Sequence, residues 1–194
     1  MFFYFISPMH FSHEFTIKLK KRLTLTSWIM TLKDKVPVQR VQKILIEFDT
    51  NSEVIVLKSS ARTAFEAAKS LNCEVGAIIK SLLFKTEQKF TLCLVAGDKK
   101  ASLNKIKKIL NIKDVSMASA DDVKNVTGFT IGGVSPIGHS NKIDILIDLS
   151  LDRFKELFAA AGHPNCIFRI SFEDLSKITE GSVKELVEWH SQNY

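Results

Sequence analysis

Cysteine is scarce in this chain, and what there is of it is unpaired. Cys73, Cys93 and Cys166 are the three cysteines among 194 residues. An odd number, wide spacing and the lack of any C-x-x-C pair exclude a disulfide framework and the common zinc signatures. Free thiols suit a reducing compartment, so the expected location is the cytoplasm. The five histidines, His10, His13, His139, His163 and His190, form no H-x-x-x-H pair and do not cluster with acidic residues at ligand spacing. The expectation is therefore no metal and no cofactor. Long apolar runs are also missing. Met1 to Ile6 is apolar, but it is too short to span a bilayer, and basic residues follow it where a signal peptide would have them first. Internal repeats and low-complexity segments are absent as well.

What is present is the balance of a soluble globular protein, with 45% hydrophobic and 25% charged residues. The length suits one domain with a sizeable core. Of the net charge of +6, half lies in residues 1–29, where Lys18, Lys20, Lys21 and Arg22 stand against Glu14. The excess suits an anionic partner without demanding one. Residues 1–29 have no clean periodicity and read as an N-terminal extension, either carried over from an upstream start or a loose, disordered arm. Residues 30–194 read as the domain proper.

Within that domain, Val38, Val41, Ile44, Leu45 and Phe48 recur at helical spacing. Glu53–Lys58 reads as a strand, and Thr63 with Glu66 forms a T-x-x-E capping box opening a helix through Leu71. Ile78–Lys85 and Phe90–Ala96 are β-rich runs joined as a hairpin. Ser102 caps a helix with Leu103, Ile106, Ile109 and Leu110 on its apolar side and Lys105, Lys107 and Lys108 turned away. Ser119 with Asp122 opens another short helix. Lys142–Leu149 reads as a buried strand, Ser150 as the cap of a helix reaching about Ala160, Cys166–Ile170 as a strand, and Ser171 with Asp174 as a last helical start. The order has no regular βαβ period and contains a hairpin. The expected fold is α/β of the α+β type, a mixed and partly antiparallel sheet flanked by helices, in preference to a Rossmann fold.

Two stretches carry candidate chemistry. Gly132-Gly133-Val134-Ser135-Pro136-Ile137-Gly138-His139 is a loop whose glycines would let backbone N–H groups approach an anion or a polarised carbonyl, stiffened by Pro136. It also reads as an ordinary tight connection, and it is neither a Walker loop nor G-x-G-x-x-G. Lys80 lies inside Ile78-Ile79-Lys80-Ser81-Leu82-Leu83-Phe84, where an ammonium on a dry surface would act strongly on a phosphate or a developing oxyanion. The plainer reading is a lysine on the solvated side of an edge strand. Lys99, Lys100, Lys105, Lys107, Lys108 and Lys113 form a basic stretch suited either to RNA phosphates or to a solvated helix face.

Taken together with Ser60-Ala61-Arg62-Thr63-Ala64, Thr127-Gly128-Phe129-Thr130-Ile131 leading into the glycine loop, and Ala161-Gly162-His163, these stretches resemble the YbaK and prolyl-tRNA synthetase editing-domain family over residues 38–180. The resemblance implies a YbaK-like fold and a pocket for the aminoacyl 3' end of tRNA. The implied activity is metal-independent hydrolysis of prolyl-type tRNA carrying a small wrong amino acid, such as alanine or cysteine. It places Lys80 and Gly132 as catalytic. Ser81, Gly133, Val134, Ser135, Pro136, His139 and His163 are placed at the substrate, although His163 reads equally as a surface-loop histidine. Ile167 stands where some cysteine-specific members carry an aspartate, which argues against cysteinyl specificity. The implied partners are tRNA and prolyl-tRNA synthetase, with neither DNA nor membrane. The alternative is a tRNA-end or nucleotide-binding module without catalysis.

Overall fold

The computed structural model describes residues 32–188 apart from Thr50, Ser60 and Gln88. The extension expected at 1–29 lies outside the described residues. Helix α1 spans Val36–Phe48 and begins with Pro37 in its first turn, where a missing N–H costs nothing. Its buried stripe is Val38, Val41 and Leu45. The next strand, β1, keeps only Ile55–Val56 of the expected six residues. Helix α2, Ala64–Leu71, opens on Thr63, whose side chain accepts from Glu66 N while the Glu66 carboxylate returns to the Thr63 amide.

Strands β2 (Ile79–Thr86) and β3 (Phe90–Ala96) form the expected hairpin, with Ile79 opposite Ala96 and Lys85 opposite Phe90. Helix α3 is Leu103–Leu110, β4 is Val115–Met117, α4 is Ala120–Thr127 and β5 is Asp144–Asp148. Strands β6 (Leu157–His163) and β7 (Cys166–Ile170), helix α5 (Phe172–Thr179) and strand β8 (Ser182–Lys184) complete the order. The capping boxes at Thr63 and Ser119 and the caps at Ser102 and Ser171 all stand where the sequence places them.

The helix expected from Ser150 to Ala160 does not form. Asp148, not Ser150, is the cap, and the turn that follows is a 3-10 helix over Leu149–Arg153. The chain then runs into β6, where Leu157, Ala159 and Ala161 face the core. Pairing with β7, Leu157 opposite Ile170 and Ala160 opposite Ile167, outweighs the helix preference of the alanines. Lys105 is also not turned away, since its Nζ donates to Val187 O at 2.7 Å and pairs with Glu185 at 3.6 Å.

The strands form two sheets in place of one. The larger is mixed, in the order β4-β2-β3-β5-β8, and the smaller is antiparallel, β1-β7-β6. Strand β3 is buried from Thr91 to Ala96 because β2 and the parallel β5 flank it on both edges. A parallel bridge between Ile78 and Phe158 joins the sheets. Helix α1 packs on β6 so closely that a Cβ on Gly162, which has φ +84°, would lie 2.6 Å from Pro37 O. Among the described residues no helix is long and apolar enough to cross a membrane.

The buried carboxylate of Asp148 fastens the C-terminal segment. It accepts from the amides of Ser150 at 3.0 Å, Leu186 at 2.6 Å and Val187 at 3.2 Å. Leu186 and Val187, both fully buried, thereby cap the cluster formed by Phe84, Val95 and Ile106. Asp148→Ala leaves three buried donors without an acceptor, and the expected loss is about 3 kcal/mol or more. Equilibrium urea unfolding measures it; a loss under about 1 kcal/mol would show that water replaces the carboxylate.

Candidate active site

The site grows from the outer edge of β2. Strand β4 pairs only with Phe84–Thr86, and the bridge to Phe158 holds only Ile78. Between them the edge from Lys80 to Leu82 has no partner strand among the described residues, and the two sheets part there. Thr86 N donates to Lys89 O at 2.8 Å, and Leu83 O accepts from Ala118 N at 3.0 Å on the opposite side. The alternation of an antiparallel pair then turns the main-chain groups of Ser81 outward, into the gap. A cavity of about 380 Å³ fills that gap. Its walls come from β2, from the Ala61–Thr63 turn and α2, from Ile131–Gly132, and from β6 with Pro164.

Lys80 and Ser81 leave opposite faces of β2, Lys80 beside Leu82 and Phe84 and Ser81 beside Ile79 and Leu83, and both line the cavity along the strand edge. The Lys80 ammonium donates to Lys99 O at one corner. Burial pushes its pKa down, the Asp98 carboxylate pulls it back up, and Lys100 lowers it further. Ser81 Oγ is buried and has no hydrogen-bond partner among the described residues. A buried hydroxyl costs free energy when unpaired, so Ser81 carries a polar atom in want of a partner next to the cavity wall.

The glycine loop enters from the other side. Gly132 has φ +87°, and a Cβ there would sit 3.5 Å from Pro164 Cγ and 3.9 Å from Arg62 Cα, on the cavity wall. Val134 also lines the cavity. The remaining loop residues lie behind the wall. A Cβ on Gly133 would stand 3.0 Å from His163 Cα, so this glycine permits contact with β6 instead of with a ligand. Ser135 is fully buried, its hydroxyl accepting from Ile137 N at 3.3 Å, and Pro136 is buried too. His139 Nε2 donates to Ser135 O at 2.8 Å, and its ring meets Phe129 edge-on at 6.0 Å. Burial holds its pKa below the usual imidazole value. Arg40 stacks over the other side of this corner, 5.0 Å from the Phe129 centroid, and donates to Ser140 Oγ at 2.7 Å. His163 Nδ1 accepts from Asn165 N at 3.1 Å, and burial lowers its pKa as well, so it stays neutral as a turn-forming acceptor.

Of the residues singled out in the sequence, the fold thus brings Lys80, Ser81, Gly132 and Val134 to one cavity. Gly133, Ser135, Pro136, His139 and His163 support its wall from behind. Arg62, Thr63, Phe158 and Pro164, which the sequence does not point to as site residues, also line it, as does Ile167. Arg62 and Thr63 fall within the Ser60–Ala64 stretch, but nothing local shows which way that turn faces. Most of the remaining wall is apolar, with Ala61, Ala64, Ala67, Ala118, Ala159 and Ala160 among its residues. Burial pushes the Cys93 thiol up to about 12 and the Cys166 thiol up to about 11, so neither supplies a thiolate near neutral pH. Among the described residues no three His, Cys, Asp or Glu side chains converge as a metal site.

Residues 58–178 match the model of the aminoacyl-tRNA editing domain family. The chain is 29% identical over 147 residues to the uncharacterized protein YwhH of Bacillus subtilis, covering 75% of this chain and 93% of that one. It is 30% identical over 134 residues to a proline–tRNA ligase of Caldicellulosiruptor bescii, but covers only 23% of the ligase. Its fold matches, at a TM-score of 0.75 and 35% identity, a crystal structure described as a candidate trans-editing enzyme for prolyl tRNA synthetase, over 80% of this chain and 99% of that one. On the family match and this geometry together, the chain is a member of the aminoacyl-tRNA editing domain family.

Proposed function

We propose that this protein hydrolyses the ester of mischarged tRNA in trans, releasing a small wrong amino acid such as alanine from a prolyl-type tRNA. The observation that carries the reading is one cavity lined by Lys80, Ser81 and Gly132 against a largely apolar wall. An aminoacyl ester is already activated, so its hydrolysis needs a placed water and support for the oxyanion more than a strong nucleophile. Water adds to the ester carbonyl, the bond to the ribose oxygen breaks, and free amino acid and a terminal hydroxyl result. Lys80 offers its charge to the 3' end, and the Ile131–Gly132 backbone orients the ester. A ribose hydroxyl of the substrate assists the water. Ser81 hydrogen-bonds the substrate through its side chain and its outward main-chain groups.

The apolar wall sets the choice of amino acid by size. One extra methylene in such a pocket is worth roughly 1–3 kcal/mol, which limits discrimination by binding alone and fits a second, smaller sieve behind a synthetase. Ile167 puts an apolar side chain on the wall where an acidic partner for a thiol would stand, so alanyl ester is the favoured substrate over cysteinyl ester. The partners on this reading are tRNA and, to supply it, prolyl-tRNA synthetase.

A deacylation panel of the purified protein against prolyl-type tRNA charged with alanine, cysteine, serine or proline tests the function, with the alanyl ester expected to be cleaved fastest. Cleavage of none of them would leave the alternative of a tRNA-end binding module. The same rates are expected in EDTA, since backbone donors and water carry the chemistry; loss in EDTA restored by zinc would overturn that.

Lys80→Ala should lower the single-turnover rate by about 100-fold or more, the usual effect of removing a charge-stabilising donor, while the melt stays cooperative. A folded variant with parental turnover would remove Lys80 from the reaction.

Gly132→Ala and Gly133→Ala should fail in different ways. At Gly132 the space is open but φ is positive, so the variant folds with about 1–2 kcal/mol of strain and loses turnover well beyond that. At Gly133 the added carbon meets the backbone of β6 at 3.0 Å, so stability falls first. Melts and deacylation rates on the same preparations separate the two.

A further inference from the structure

Lys80 is not held by the cavity alone. Its ammonium donates to Lys99 O, in the turn that follows β3, and that turn is closed by Lys99 N donating to Ala96 O at 3.0 Å. Asp98 stands at the tip of the turn. Its carboxylate receives Arg153 Nη2 at 2.7 Å, and Arg153 is itself fixed from two sides. Its Nε donates to Ser150 O at 2.8 Å, and its guanidinium lies 4.7 Å from the Phe154 ring centroid. Arg153 belongs to the 3-10 turn that the sequence disguises as a helix start, so a residue remote in sequence from the cavity reaches its cation through one carboxylate.

From this arrangement we infer that Asp98 is a positioning residue for Lys80, and that Arg153, by engaging the Asp98 carboxylate, sets how strongly the lysine is drawn to the Lys99 turn and away from the substrate. The inference rests on the reading of Lys80 given above. The charged groups at this corner are Asp98, Lys99 and Lys100 of the turn, Arg153 beneath it, Glu188 across the opening beside Lys100, and Arg62 on the far cavity wall.

The two partners act on Lys80 with opposite signs. Burial works against the Asp98 carboxylate, but Arg153, by hydrogen bond and charge, and Lys99 hold its pKa below the usual value, so it is ionised and favours the ammonium form of Lys80. Replacing Asp98 with Asn removes that support and lowers the lysine's pKa. Replacing Arg153 with Met removes a positive charge from the far side of the ionised Asp98, so more of that carboxylate's field falls on Lys80 and its pKa rises.

The direct measurement is a pH titration of the Lys80 Cε resonance in the full chain with isotopically labelled lysine, assigned by its loss in Lys80→Arg. The titration should move to lower pH in Asp98→Asn and to higher pH in Arg153→Met, each by several tenths of a unit, with cooperative melts retained. Asp98→Ser and Arg153→Gln make the same charge changes if either first variant does not fold. A titration that stays fixed, or that moves the same way in both, would overturn the inference, since simple loosening of the turn has no reason to produce opposite shifts. The alkaline limb of single-turnover deacylation, corrected for uncatalysed ester hydrolysis, should follow the resonance in each variant. A limb that stays put while the resonance moves would leave the positioning intact and sink the assignment of Lys80 to the reaction.

Discussion

The structure depends on one strand edge that is paired at both ends and, among the described residues, bare in the middle. Strand β2 is held by the Ile78–Phe158 bridge at its start and by β4 from Phe84 onward. An edge left open over a whole strand invites another chain to pair with it, whereas an edge open for only a few residues, under the roof of a second sheet, becomes an enclosed polar strip. Because the strip is main chain, its donors and acceptors are placed by the hairpin register and cost no side-chain ordering when a ligand arrives. The two side chains that flank it, Lys80 and Ser81, supply the charge and the hydroxyl that the backbone lacks.

Keeping the edge open requires the second sheet to stand at a fixed distance, and small residues set that distance. Gly162 lets β6 touch the first turn of α1, and Gly133 lets the glycine loop lie on the β6 backbone. The loop is then locked from behind by His139 on the Ser135 carbonyl and by Arg40 against Phe129. This division explains why a single motif contains residues of two kinds. Gly132 and Val134 are on the cavity, whereas Ser135, Pro136 and His139 hold them there, and a neutral histidine suits that task better than a charged one in a corner already holding an arginine.

Elements whose ends are written in local chemistry were legible in the sequence. The boxes at Thr63 and Ser119 and the caps at Ser102 and Ser171 name a helix start by a side chain and an amide only three residues apart. The hairpin was legible for the same reason. The helix expected from Ser150 failed because its residues satisfy helical spacing as well as alternation: Leu151, Phe154 and Leu157 suit a helix, while Leu157, Ala159 and Ala161 suit a strand. What decides is β7, which lies beyond the window, and Asp148, whose carboxylate is engaged by Leu186 and Val187 nearly forty residues later. The division into two sheets was hidden likewise, since one sheet or two turns on whether β6 continues beside β2 after a single bridge. As for the site, Lys80 and Gly132 were visible as unusual residues in apolar or glycine-rich surroundings, and Ser81 only through the family resemblance. Arg62, Phe158 and Pro164 were not, because a wall residue has no local signature.

The same hidden turn bears on the chemistry. A helix from Ser150 to Ala160 would carry Arg153 outward along its axis, whereas the short 3-10 turn brings it back under the Lys99 turn, where it meets Asp98. On the proposed reading, the Lys80 cation faces two demands: it must stay charged despite burial, and it must remain free to turn toward a ligand. An isolated carboxylate beside it would meet the first demand and defeat the second by holding the ammonium in a tight pair. A carboxylate already engaged by a guanidinium meets both, since its remaining charge supports the ammonium while its best hydrogen-bonding geometry is taken up by arginine, the residue whose planar donors suit a carboxylate best. On the proposed reading the Lys99 carbonyl, a neutral acceptor, is then a resting place that an anionic phosphate or a developing oxyanion can outbid, because each meets the ammonium with a full opposite charge.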